Sequence, residues 1–118
     1  MSSIADFPKQ RSVYLCKALK QSGDTKKRAV VVVSIDIRNQ YSSTVLVVPF
    51  SSDISQAANP SRTLIKQAEG GLNVGSVAMC DVLTCIKKQY LEPEPYGEIS
   101  EESFARILQA IQIAMGIY

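Results

Sequence analysis

The stretch RAVVVVSIDIRNQYSSTVLVVPFSSD, residues 28 to 53, decides how the rest of this chain is read. It holds two apolar runs, Ala29 to Val33 and Val45 to Phe50, both rich in β-branched residues and both shorter than an ordinary helix. Side chains branched at Cβ suit a pleated, buried surface, so the runs read as two core strands. Between them Asp36, Arg38, Asn39, Gln40, Ser42 and Ser43 make a polar connection, and the simplest pairing is adjacent and antiparallel. In such a pair the start of the first strand lies beside the end of the second. Arg28 enters the first strand and Ser51-Ser52-Asp53 leave the second, so the pairing predicts a guanidinium close to two hydroxyls.

Outward from this pair, Ser12 to Leu19 is strand-like, and QSGDTKK at 21 to 27 is a turn-rich loop that carries basic charge to the mouth of the sheet. Beyond Asp53, ISQAANPSR is polar and broken by Pro60, and it leads to a short strand over Thr63 to Lys66. Glu69-Gly70-Gly71, with Asn73 and Gly75, marks another turn. Ser76 to Cys80 and Leu83 to Lys87 read as two further strands bent apart near Asp81. Short strands at this spacing predict a small, strongly curved barrel or half-barrel.

The chain closes with a helix. Pro93, Pro95 and Gly97 stop what precedes it, Ser100 is a suitable N-cap, and Glu101 and Glu102 favour the positive end of the helix dipole. Phe104, Ile107, Leu108, Ile111 and Met115 form one apolar stripe, expected to pack on the sheet, and Gly116 is placed to end the helix.

A chain of 118 residues with 46% hydrophobic and 20% charged residues has room for one modest core, so residues 1–118 read as a single domain with residues 1–10 as a flexible arm. No apolar run approaches the ~20 residues of a membrane span, and the N-terminus lacks a signal-peptide pattern, so a soluble cytoplasmic protein is expected. Cys16, Cys80 and Cys85 are odd in number and lack CxxC spacing, which fits thiols in a reducing compartment better than disulfides or metal ligands. The chain has no histidine, which excludes a histidine general acid or base and most zinc sites. Nothing in it calls for a metal or another cofactor. Lys and Arg crowd the first 28 residues, whereas Glu92, Glu94, Glu98, Glu101 and Glu102 cluster near the end. The distribution predicts one region that attracts polyanions and another that does not, although Lys26-Lys27 serves equally well to keep a turn solvated.

Four segments in this order resemble the MazF/PemK (Kid-type) toxins of bacterial toxin-antitoxin modules. They are KKRAVVVVS, VLVVPFSSD, EGGLNVGSVAMCDVLTCIKK and GEISEESFARILQAIQIAMGI, and the match is collinear from about Ser12 to Ile117. The resemblance implies a mainly β fold, a small SH3-like barrel with a C-terminal helix, and a homodimer. It also implies sequence-specific, metal-independent cleavage of single-stranded RNA and a cognate MazE-like antitoxin whose flexible segment covers the RNA site. Residue by residue, the family's catalytic arginine matches Arg28 and its catalytic threonine matches Ser51, with Lys26, Lys27, Ser52 and Thr84 as RNA-contacting positions. Ala29 stands where proline is usual, and Val82 and Thr84 replace more polar residues. The CcdB-like gyrase poisons share the fold and act by binding through the end of the last helix, where Met115-Gly116-Ile117-Tyr118 is superficially similar. A catalytically inactive relative is a further alternative.

The implied chemistry suits a chain without histidine. A ribose 2′-OH can attack its own phosphodiester in line, giving a 2′,3′-cyclic phosphate and a 5′-OH end, while the protein supplies geometry and stabilises charge on the phosphoryl oxygens. A guanidinium offers a planar fork of donors matched to phosphate and stays protonated, so it acts as a charge stabiliser rather than a base. Two structural readings compete with this one. Arg28 could be a strand-end arginine paired with Asp24 or Asp53, and Ser51 a turn residue bonded to its own backbone.

Overall fold

The computed structural model describes residues 6–17 and 27–117. The two valine-rich runs become β2 (Arg28–Val32) and β3 (Thr44–Ser51), paired antiparallel with Val30 opposite Pro49, Val31 opposite Val48 and Val32 opposite Val47. On the far side of β2 lies β1 (Ser12–Cys16), with Cys16 opposite Arg28. Three further strands follow in the chain, β4 (Arg62–Ile65), β5 (Ser76–Met79) and β6 (Thr84–Lys87), then the short β7 (Gly97–Glu98). The sheet runs β4-β5-β3-β2-β1-β7, with β6 also pairing β3.

Strand β3 turns this sheet into a half-barrel. One of its edges takes β2, while the other takes β6 along Thr44 to Val47 and then β5 at Phe50 and Ser51. A strand that changes partner along its length makes a corner. Both faces of the β2–β3 pair are buried, which explains their unbroken valine runs. Val31, Val33, Val48 and Phe50 join a cluster closed by Phe104, Ile107 and Ala110 of the last helix, whereas Val30, Val32, Val45 and Val47 pack with Tyr14, Cys16, Ile86 and Leu91 on the other side.

The β2–β3 connection holds a short helix, α1 (Asp36–Tyr41), that the polar sequence does not announce. Asn39 is wholly buried beneath it. Its Nδ2 donates to the Ser34 carbonyl at 2.8 Å and its Oδ1 accepts from the Ser34 hydroxyl, whose oxygen in turn accepts from Leu46 N–H at 3.0 Å. One buried amide, satisfied on both ends, thereby fixes the connection.

The closing helix, α2 (Glu101–Met115), starts and stops as expected. Ser100 Oγ accepts from Ser103 N–H at 3.1 Å, and Gly116 ends it at φ 75°. The expected stripe needs correction. Phe104 and Ile107 are buried and Ile111 packs at the edge of the core, but Leu108 and Met115 are 41% and 63% exposed. Ser103 and Ala110 take the inner positions instead, because the helix meets the curved sheet along a narrower face than the stripe. No described helix is long and apolar enough to cross a membrane.

The Glu69-Gly70-Gly71 turn locks against the start of α2. Both Ser100 N–H and Ser100 Oγ donate to Glu69 Oε2, at 3.0 and 3.1 Å. Burial pushes the Glu69 carboxyl up, but bonds from Ser103 and Ser100 and the Arg106 charge outweigh it and hold it below the usual glutamate value of 4.5. A depressed carboxylate adds stability above its unfolded pKa and loses it as pH falls through the folded one. Melting temperatures should therefore fall as pH drops from about 4.5, and Glu69→Gln should flatten that acid limb. Superimposable limbs would count against the tie.

Candidate active site

The β2–β3 pairing ends at Val30 and Pro49, and the same register continued two residues further would bring Arg28 opposite Ser51. Alternation along each strand turns both side chains to the face that carries Val30, Val32, Val45 and Val47. Arg28 enters at the N-terminal end of β2 and Ser51 closes β3, and both are half-buried. A row therefore crosses the sheet at this end. Leu91 bridges Cys16 and Cys16 pairs with Arg28 on one side, and Ser51 pairs with Val77 on the other.

Ser51 Oγ accepts from Asp53 N–H at 3.1 Å, the turn bond anticipated by the structural reading of this residue. The bond fixes the oxygen and uses one of its lone pairs, leaving the hydroxyl proton to be donated. The Asp53 carboxylate is engaged by Ser55, accepting from its N–H at 3.2 Å and its Oγ at 2.6 Å, and these bonds hold its pKa below the usual range. That carboxylate caps the 3-10 turn Ile54–Ala58. Ser52 is exposed directly after the strand.

The remaining expected positions are less concentrated. Lys26 and Asp24 lie outside the described residues. Lys27 is exposed, and its Nζ is 3.2 Å from Glu92 Oε1. Thr84 shares the face of Arg28 and Ser51 but lies opposite Val47, four residues from Ser51 and so roughly 13 Å along the strand. Its hydroxyl donates to the Val82 carbonyl at 2.7 Å. Among the described residues the basic and acidic stretches of the sequence meet each other instead of forming separate regions. Lys27 meets Glu92, and Arg11 meets Glu98 and Glu101 at 2.8 and 3.3 Å.

Arg62 was not singled out from the sequence, and Cys16 was read there only as one of three thiols. Arg62 clamps Asp81 with Nε and Nη2 at 3.0 and 3.2 Å and donates from Nη1 to Gln56 at 2.8 Å, which ties β4 to the turns after β3 and β5. Nineteen residues separate the clamped pair, so no local pattern marks it. Cys16 is fully buried next to Arg28, and burial pushes its thiol up. Burial, with the Asp81 charge, pushes Cys80 up to about 12. Both therefore stay protonated at neutral pH and are poor nucleophiles. Among the described residues no group of three or more Cys, Asp or Glu side chains is arranged to hold a metal ion.

An endoribonuclease MazF of Staphylococcus saprophyticus is 28% identical over 91 residues, covering 77% of this chain and 75% of that protein. A mycobacterial endoribonuclease solved in complex with its cognate antitoxin superposes with a TM-score of 0.78 at 21% identity, over 94% of this chain and 97% of that one. MazF from Deinococcus radiodurans gives 0.78 at 16% identity, over 93% and 97%. These structures share the half-barrel and its closing helix. The family model for the PemK-like, MazF-like toxin of type II toxin-antitoxin systems matches residues 9–115, nearly the whole chain, and the protein belongs to that family.

Proposed function

We propose that this toxin is an endoribonuclease that cleaves single-stranded RNA at preferred sequences, without a metal, to leave 2′,3′-cyclic phosphate and 5′-OH ends. The observation that supports the reading is the antiparallel register of β2 and β3, which, continued past Val30 and Pro49, would bring the Arg28 guanidinium across from the Ser51 hydroxyl at the open end of the two strands. The 2′-oxygen bonds to phosphorus as the bond to the 5′-oxygen breaks. The 2′-hydroxyl proton leaves to solvent and the departing 5′-oxygen takes one up. Arg28 stabilises the charge that grows on the non-bridging oxygens, and Ser51 donates to one of them or holds the 2′-OH in line. Lys26, Lys27, Ser52 and Thr84 contact the strand on either side, and Lys27 can exchange its bond to Glu92 for one to phosphate.

The relatives named endoribonuclease MazF and the neighbour solved with its antitoxin support this reading and its partners. Residues 1–118 act as one toxin domain in the cytoplasm and pair as a homodimer, which would cover exposed apolar side chains such as Ile37 and Tyr41. A MazE-like antitoxin segment competes with RNA for the basic edge. The gyrase-poison alternative is not favoured, because the matching family and relatives are of the MazF/PemK type. Incubating the protein with a mixed RNA pool in chelator and mapping new 5′-OH ends should show cuts at a recurrent short sequence. An intact pool at micromolar protein would refute the assignment.

A further inference from the structure

A cavity of about 300 Å³ opens on the β1 side of the row through Arg28. Phe7, Tyr14 and Leu91 form its apolar walls, and Asp6, Lys88 and Glu92 bring charge to it. Its distance from the proposed site follows from strand pairing. Leu91 bridges Cys16, and Cys16 pairs with Arg28, so Leu91 lies two strand spacings, roughly 10 Å, from Arg28. Glu92 joins the two directly, since it lines the cavity and also holds Lys27, the residue before Arg28.

We propose that this cavity takes a guanine base of the RNA beside the cleaved phosphate, and the inference rests on the ribonuclease reading above. Phe7 is half-buried with Lys9 Nζ 3.7 Å from its ring centroid, and Tyr14 is 8% exposed, so the aromatic contact open to an unpaired base is the part of Phe7 that lines the cavity, with the edge of Tyr14 beside it. The polar groups then discriminate. Guanine carries two donors, N1–H and N2–H, on one edge and two acceptors, O6 and N7, on the other. A carboxylate accepts both of those donors, and an ammonium donates to those acceptors. Asp6 is exposed at the mouth and supplies the first group. Lys88 supplies the second and is only loosely held, its Nζ 3.5 Å from the Gln40 carbonyl. Adenine offers an acceptor at N1, and uracil offers the single N3–H donor between two carbonyl acceptors, so neither gives a carboxylate two adjacent donors. The Tyr14 hydroxyl is kept protonated by burial and by the charges of Asp6 and Glu94, so it remains a donor.

The test uses 2′-fluoro oligonucleotides, which lack the attacking hydroxyl, each a uridine run with one central guanosine, inosine or adenosine. Fluorescence anisotropy should show guanosine bound at least roughly tenfold tighter than adenosine, with inosine in between because it lacks the N2 amine. Asp6→Asn and Lys88→Ala should each bring guanosine down to the affinity of adenosine. Equal affinities in the parent protein, or a guanosine preference retained in both variants, would overturn the proposal without needing any variant to be inactive. So would variants that weaken antitoxin binding and leave RNA preference untouched, since the cavity would then belong to that partner. Cleavage of mixed RNA with no guanine near the cut removes the cavity's role and spares the nuclease. Guanosine preference without cleavage does the reverse.

Discussion

Arg28→Ala is expected to lower RNA cleavage by at least roughly 10²-fold while leaving the fold intact. The side chain stands at the start of β2, half-buried at the open end of the sheet, and the strand's pairing with β1 uses backbone groups that alanine keeps. On the proposed mechanism its removal takes away the positive charge that stabilises the phosphoryl oxygens, whose value lies in the transition state rather than in RNA binding. Arg28→Lys should recover only part of the loss, because an ammonium restores charge without the two-pronged geometry. Ser51→Ala should also slow cleavage. Ser51→Thr should preserve or improve it, since the hydroxyl that Asp53 N–H holds at 3.1 Å is retained. Circular dichroism would confirm folding, and single-turnover cleavage of one defined substrate would give the rates. Parent-like rates from folded Arg28→Ala and Ser51→Ala proteins would dismiss both residues from the site.

The second large effect concerns stability. Gly71→Ala should cost about 3 kcal/mol or more and lower the melting temperature by roughly 10 °C or more. Gly71 sits at φ 78°, where a Cβ alone costs about 1–2 kcal/mol. That Cβ would also press into the backbone carbonyl of Tyr96, which no side-chain rotation can relieve. The neighbouring contact is just as close, because a Cβ on Gly97 would lie 2.9 Å from the Gly70 carbonyl carbon. Separating the two backbones would pull β7 from its place beside β1 and loosen the Glu69–Ser100 tie. Gly75→Ala is the control. Its φ is not positive, and the nearest atom to an added Cβ is the Ile65 carbonyl at 3.9 Å. Thermal melts that move equally for the two variants would show that the tight turn carries no special strain.

Features set by short-range chemistry were legible in the sequence. The β-branched runs around Val31 and Val48 announced the central antiparallel pair. Ser100 and Gly116 marked the ends of α2. Features that depend on distant partners were not legible. Leu108 and Met115 fit the helical period, yet the curvature of the sheet decides which of the apolar positions reach it. Charge counted along the chain separated lysines from glutamates, whereas folding brings Arg11 to Glu98 across 87 residues and Lys27 to Glu92 across 65. The short helix α1 depends on a single buried amide at Asn39, and six residues are too few to show a period. The cavity was hidden for a similar reason, since its walls come from the N-terminal segment, β1 and the stretch after β6.

The seal between the Glu69-Gly70-Gly71 turn and Ser100 also sets the order of events during synthesis. Chains emerge N-terminus first, so Arg28 and Ser51 leave the ribosome long before α2 does. Until Phe104, Ile107 and Ala110 arrive, one face of the central strands has no cover, and until Ser100 arrives Glu69 lacks the donors that fix its turn. A partly made chain therefore has its two central strands without the cover and the turn contacts that hold them in the finished fold.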